Sequence, residues 1–176
     1  MEQLVKYFGF LKRLRDFQFK GWLDKHAYEF LTEVGVKAGQ MVLDFGCGSG
    51  TYTIPAAKLV GKDGRVYALD INKKALDKME EKSKQEGLKN IKRIDSAGGE
   101  EIPIEDETID HVLLIDVLQE IDDRALLFDE VYRILKPNGV VTVYPMHIKI
   151  EEIEDLARSK SLILEDKKIS RTYTNL

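Results

Sequence analysis

The first chemical signal is one short stretch, Asp44-Phe45-Gly46-Cys47-Gly48-Ser49-Gly50, an acid followed by three glycines at alternate positions. Glycine is needed where backbone turns sharply or a ligand lies against the main chain, because a Cβ would collide there. A second acid, Asp70, stands 20 residues beyond Gly50. At the end of the next strand, such an acid can accept hydrogen bonds from both ribose hydroxyls of an adenosine. A tight strand–turn–helix with no ligand is the bland alternative for the glycines alone.

A dinucleotide fingerprint wants G-x-G-x-x-G, whereas this loop reads G-x-G-x-G followed by Thr51. Asp44, two residues before the first glycine, would repel a phosphate. It suits a ligand end that carries an amino group and a sulfonium, which favours S-adenosylmethionine over NAD. Methyl transfer from a sulfonium is an in-line displacement on a carbon already activated by positive charge. The protein's task is then to align the acceptor and exclude water, with a base needed only where the acceptor must lose a proton. The donor side is therefore legible and no catalytic residue is assigned.

Acceptor-side candidates are Asp116, Glu120, Tyr144 and His147. Two of them have an ordinary alternative: His147 as an exposed loop histidine, Glu120 as a first-turn acid favoured by a helix dipole. His26 falls on a surface helix and His111 opens a strand. Cys47 reads as a small filler within the loop and not as a nucleophile.

The elements that must position these groups alternate along the chain. Met41–Phe45 is a short buried strand, and a helix runs from about Thr53 to Val60 with Pro55 in its first turn. Arg65–Asp70 is the second strand. Asn72 caps a helix whose inner face is Ala75, Leu76 and Met79, and Gly87 stops it. Ile91–Ile94 and Ile109–Ile115 are the third and fourth strands. A helix from about Asp122 presents Ala125, Phe128, Val131 and Leu135, and Lys136-Pro137-Asn138-Gly139 is a turn into strand Val140–Tyr144. A helix at Ile150–Ser159 and a β-like run Leu162-Ile163-Leu164 follow. This alternation calls for a single doubly wound, mostly parallel α/β sheet with helices on both faces.

The segment from Leu4 to Phe30 has helical spacing, with Gly21 as the expected break between two helices. It holds eight aromatics (Tyr7, Phe8, Phe10, Phe17, Phe19, Trp22, Tyr28 and Phe30) interleaved with Lys6, Lys12, Arg13, Arg15 and Lys20. It reads as a helix pair packed on the sheet or in a homodimer contact, as a lid over the donor, or as an RNA or membrane contact. The expected organisation is one domain over residues 1–176: an N-terminal helical segment 1–35, a cofactor-binding core 36–145, and a C-terminal part 146–176.

Composition narrows the function classes. A net charge of −4 over 176 residues argues against nucleic acid, since phosphate binders carry a positive excess. With Cys47 the sole cysteine, neither an internal disulfide nor a Cys/His zinc cluster can form, and no metal is expected. The sequence has no apolar run of the ~20 residues a membrane span needs and no signal-peptide core. The cytoplasm is the expected location.

Several of these stretches together resemble the class I S-adenosylmethionine-dependent methyltransferases, and most closely the group with the ubiquinone/menaquinone biosynthesis enzymes. Val42–Gly50 resembles that family's first motif, Val66–Ile71 its second, and Ile102–Val112 the stretch before its fourth strand. Leu135–Gly139 resembles the turn before its fifth, so the likeness covers about residues 28–145. It implies S-adenosyl-L-methionine as cofactor, S-adenosyl-L-homocysteine as product and a methyl acceptor of unidentified, small-molecule type. It also implies that Gly46, Cys47, Gly48 and Gly50 form the loop under the methionine part, with Asp44 near its amino group. Asp70 would hold the ribose, Ile71 would pack on the adenine, and Asp95 and Ser96 would approach the adenine edge. Ile115 and Asp116 would flank the sulfonium.

The chain departs from the family at Ile94-Asp95-Ser96-Ala97, where Gly-Asp-Ala is usual, and at Val117-Leu118-Gln119-Glu120, where a Leu-His pair is common. The family's last, antiparallel strand would be scarcely five residues long here. Two other classes stay in view: an RNA or protein methyltransferase, and a non-catalytic binder of adenosyl ligands.

Overall fold

The computed structural model describes residues 3–7, 16–98, 101–145, 148–160 and 162–166. The elements in chain order are β1 (Gln3–Tyr7), α1 (Asp16–Lys25), α2 (Ala27–Glu33), β2 (Met41–Phe45), α3 (Thr53–Val60), β3 (Arg65–Asp70) and α4 (Lys73–Gln85). They continue with β4 (Ile91–Asp95), β5 (Ile109–Ile115), a 3-10 turn (Leu118–Glu120), α5 (Arg124–Ile134), β6 (Leu135–Tyr144), α6 (Ile150–Ser159) and β7 (Leu162–Asp166). The sheet order is β4-β3-β2-β5-β6-β1-β7, and every pairing is parallel.

Strand order reverses between β2 and β5, which opens a crevice beyond their carboxyl ends, the usual ligand position in such sheets. Side-chain alternation divides the core into two layers. Val112 and Leu114 face α5 and α6, where Leu127, Phe128, Val131, Ile153 and Ala157 are buried. Leu113 and Ile115 face the other side, with Val42, Val66, Ala56, Val60 and the helical residues Leu23, Phe30 and Leu31.

Helix boundaries follow local chemistry. Asn72 accepts the Ala75 N–H at 3.2 Å to start α4, and Asp123 accepts the Leu126 N–H at 2.9 Å to start α5. Leu135, expected on the last helical turn, is instead the first residue of β6. The expected turn at Lys136–Gly139 sits inside β6 as a bulge: Ile109 pairs with Leu135 while His111 pairs with Val140. Asn138 there takes a φ of 66°.

The N-terminal expectation needs correction. Helical spacing from Leu4 gives way to strand β1, paired on one side with β6 and on the other with β7. Strand pairing with distant segments overrides a local period of three to four. The helix break falls at His26 instead of Gly21, which lies within α1. The His26 ring stacks on Trp22 at 4.3 Å and its Nδ1 lies 2.9 Å from the Trp22 carbonyl oxygen. From Leu23 to Val36 this region is core, since Leu23, Ala27, Phe30, Leu31, Val34 and Val36 are all buried. The lid reading of Phe8, Phe10, Lys12, Arg13 and Arg15 lies outside the described residues. β7, over the expected β-like run, is parallel to β1, because the α6 crossover returns the chain to the end from which β6 started. The short antiparallel strand expected at the end of the chain lies outside the described residues.

Candidate functional site

A cleft of about 480 Å³ lies at the carboxyl ends of the inner strands. Its walls include Gly46, Leu69, Asp70, Ile71, Ser96 and Gly98 on one side and Asp116, Val117, Glu120 and Ile121 on the other.

Asp70 ties the floor together. Its Oδ2 accepts the Gly48 N–H and its Oδ1 the Asn72 N–H, both at 2.7 Å. Its backbone carbonyl accepts the Ser96 N–H at 3.0 Å. The carbonyl of Leu69 accepts both Gly46 N–H and Cys47 N–H, at 2.9 and 3.0 Å. The glycine loop is thus moored to the end of β3 by backbone hydrogen bonds and one carboxylate.

The three glycines answer different needs. At Gly46, with φ 74°, a Cβ would stand 2.5 Å from Val117 Cγ2. At Gly50, with φ 83°, it would stand 2.7 Å from Met79 Cγ. Packing inside the protein explains both. At Gly48, with φ 53°, nothing lies within 4 Å of the Cβ position, so the space beside its backbone is open.

Asp44 lies beneath the loop, 2 % exposed, and accepts the Thr53 hydroxyl at 2.6 Å. Cys47 is buried too. Burial, reinforced by the negative charges of Asp44 and Asp70, pushes its thiol above the ordinary range and favours the neutral thiol.

Gly46, Asp70, Ile71, Ser96 and Asp116 therefore line the cleft together. Ile71 is 65 % exposed there, an apolar side chain offered to the cleft. Asp44, Cys47 and Ile115 form the buried layer behind it. Asp95 ends β4 beside Asp70 but is not a cleft-lining residue. Its two oxygens receive Arg93 Nε and Nη2 at 2.8 Å each, and that fork holds its carboxyl below the usual range.

Of the acceptor-side candidates, Asp116 and Glu120 line the cleft. Tyr144 is buried, with its carbonyl accepting the Asp116 N–H at 3.1 Å. His147 lies outside the described residues. His111 is a core histidine, 0 % exposed, with Nε2 2.7 Å from Thr142 Oγ1.

Sequence reasoning missed Phe45, Leu69, Gly98, Val117, Ile121, Asp122 and Asp123 as cleft residues. The 3-10 turn delivers those from 117 to 123, and nothing periodic announces it. Five carboxylates (Asp70, Asp116, Glu120, Asp122 and Asp123) line the cleft, with no Lys, Arg or His among the described lining residues. They are dispersed: no group of three or more potential ligands that could hold a metal occurs among the described residues.

The stretch before β5 is held by Arg133. Its guanidinium donates to the carbonyls of Ile102 and Ile104 at 2.8 Å and to Asp106 Oδ1 at 2.7 Å. Glu130 pairs with Arg133 and accepts the Ile102 N–H at 3.0 Å.

Residues 36–174 match the family model described as "Methyltransferase domain". The chain belongs to that family. Within it, the chain is 35 % identical over 123 residues to a demethylmenaquinone methyltransferase of Lactobacillus johnsonii, spanning 70 % of this chain and 49 % of the relative. It is 31 % identical over 141 residues to the Bacillus subtilis protein of that name, spanning 80 % and 58 %. The methyltransferase-domain chain thus spans about half the length of the curated relatives it matches. Among solved structures, a SAM-dependent methyltransferase from Aquifex aeolicus superposes with a TM-score of 0.68 at 24 % identity, covering 84 % of this chain and 88 % of that one. A putative sarcosine dimethylglycine methyltransferase from Galdieria sulphuraria gives 0.61 at 26 % identity, covering 82 % and 56 %. The methyltransferase-domain fold is shared throughout, and no described helix is long and apolar enough to cross a membrane.

Proposed function

We propose that this chain is an S-adenosylmethionine-dependent methyltransferase acting on a small-molecule acceptor, built as one cytoplasmic domain over residues 1–176. The observation that carries the reading is the Asp70 carboxylate, held by Gly48 and Asn72 at the edge of an acidic cleft. A carboxylate has about four lone-pair sites, so Asp70 keeps acceptor capacity for two ribose hydroxyls after those two bonds.

Across the sheet order β4-β3-β2-β5, the cleft residues run Ser96, Asp70, Gly46, Asp116. That row fits the parts of the ligand in turn: Ser96 and Ile71 by the adenine, Asp70 by the ribose, the loop 46–50 under the methionine part, and Asp116 on the sulfonium side. The carboxylate lining favours a cationic ligand and repels a pyrophosphate. Asp44 and Ile115 support this surface from behind; Asp95 contributes through its strand end. When bound, the cofactor supplies a methyl carbon activated by the positive sulfur. The protein's residues hold it, keep water out and leave one side of the cleft for the acceptor.

A small-molecule acceptor is supported by the acidic net charge and by the names of the quinone-pathway relatives. The same acidic lining disfavours an anionic acceptor. Calorimetry with S-adenosylmethionine, S-adenosylhomocysteine and NAD tests the cofactor: the adenosyl ligands should bind and NAD should not. A panel assay for S-adenosylhomocysteine release against quinol, amine and phenol acceptors tests the activity. Saturable NAD binding without adenosyl binding would overturn the reading. Adenosyl binding without turnover on small acceptors would shift it to RNA, to protein, or to a non-catalytic binder.

A further inference from the structure

We infer that Gln119 is a positioning residue that locks Asp116 against the cleft, and so makes the site prefer a charged sulfonium over a neutral thioether. The inference rests on the reading of this cleft as an adenosyl site. Asp116 is the first residue past β5 and takes a φ of 55°, a left-handed conformation that side chains with a Cβ seldom adopt. Something must hold it there. Its N–H is used by the Tyr144 carbonyl at 3.1 Å. The Gln119 side-chain amide supplies the other restraint, donating from Nε2 to the Asp116 carbonyl at 2.8 Å and to Asp116 Oδ1 at 3.0 Å.

The amide orientation follows from chemistry. Rotated by half a turn, Gln119 would press Oε1 against a carbonyl oxygen and a carboxylate oxygen. In the orientation present, Oε1 is buried with no hydrogen-bond partner among the described residues. A buried acceptor left unsatisfied is costly, and here that cost accompanies two donors kept on Asp116. Gln119 is also neutral. A lysine or arginine in this place would restrain Asp116 equally well but would cancel its charge. The pair therefore presents an oriented carboxylate two strands from Asp70, with no Lys, Arg or His among the described cleft-lining residues.

The test uses the full chain with S-adenosylmethionine and S-adenosylhomocysteine as probes, measured by calorimetry at neutral pH and low salt. Gln119→Met keeps the side-chain length and removes both donors. It should weaken S-adenosylmethionine about three- to ten-fold while shifting S-adenosylhomocysteine less than about two-fold. Asp116→Asn should show the same selective loss, and the double variant should lose no more than Asp116→Asn alone. Where Gln119→Met fails to melt cooperatively, Gln119→Ala is read in the same way. Equal weakening of both ligands, or losses that add in the double variant, would reduce Gln119 to a structural contact and overturn the inference. Wild-type protein that binds neither probe overturns the adenosyl reading itself, and the inference with it.

Discussion

The backbone N–H of Gly48 donates to Asp70 Oδ2 at 2.7 Å, across the 22 residues that separate them. This bond joins the two motifs that the sequence presents separately, and makes Asp70 a structural part of the glycine loop.

Asp70→Ala should therefore act on two levels. Ligand binding should weaken by about 1.5–3 kcal/mol, the scale for hydrogen bonds to a charged acceptor. The free protein should also lose about 1 kcal/mol, since the Gly48 and Asn72 N–H groups exchange a carboxylate for water. Calorimetry with S-adenosylhomocysteine and urea unfolding measure the two separately. Unchanged affinity would remove Asp70 from the ligand site.

Gly46 and Gly48 should respond to alanine in different ways, the first mainly in stability and the second mainly in ligand binding. Gly46→Ala places a methyl 2.5 Å from Val117 Cγ2 at a φ of 74°, and should cost about 2–4 kcal/mol of stability. Gly48→Ala meets nothing within 4 Å, should cost about 1–2 kcal/mol, and should weaken adenosyl binding more than that loss explains. Denaturant unfolding paired with calorimetry would reveal the reverse pattern if the loop were misassigned.

The raised Cys47 thiol predicts slow chemistry and a direction for stability. Iodoacetamide at pH 8 should label the folded protein far more slowly than the protein in urea. Above about pH 8.5 the unfolded chain releases this proton while the folded chain keeps it. The contribution is thus full below that pH and is lost as pH rises. Rapid labelling of the native protein would contradict the burial of Cys47.

Glu130 runs the other way. The Arg133 guanidinium, ahead of the Ile102 N–H, holds its carboxyl below the ordinary value of 4.5. As pH falls below that value the unfolded chain takes up the proton first, so this contribution is present above it and lost below. Glu130→Gln should cost about 1–2 kcal/mol at pH 7, with the gap to wild type closing below pH 4.5. Urea unfolding at pH 7 and pH 3.5 compares the two; a gap independent of pH would discount the pair.

What the sequence determined by itself is local. The spacing of Asp44, Gly46, Gly48 and Gly50 after Val42-Leu43, and of Asp70 after Val66–Leu69, reports turn sterics and buried-strand runs that act within a few residues. Asn72 and Gly87 mark the ends of α4 for the same reason. Tertiary structure decided what depends on distant partners. β1 exists because β6 and β7 offer backbone partners more than 130 residues away. Asp95 is turned to Arg93, whose fork also gathers Asp77 and Glu80 from α4. The acidic wall from Asp116 to Asp123 faces the glycine loop only because β5 lies beside β2 in the sheet. No periodicity in one segment records which neighbour will lie across the crevice, because that is set by pairing and packing between segments far apart in the chain.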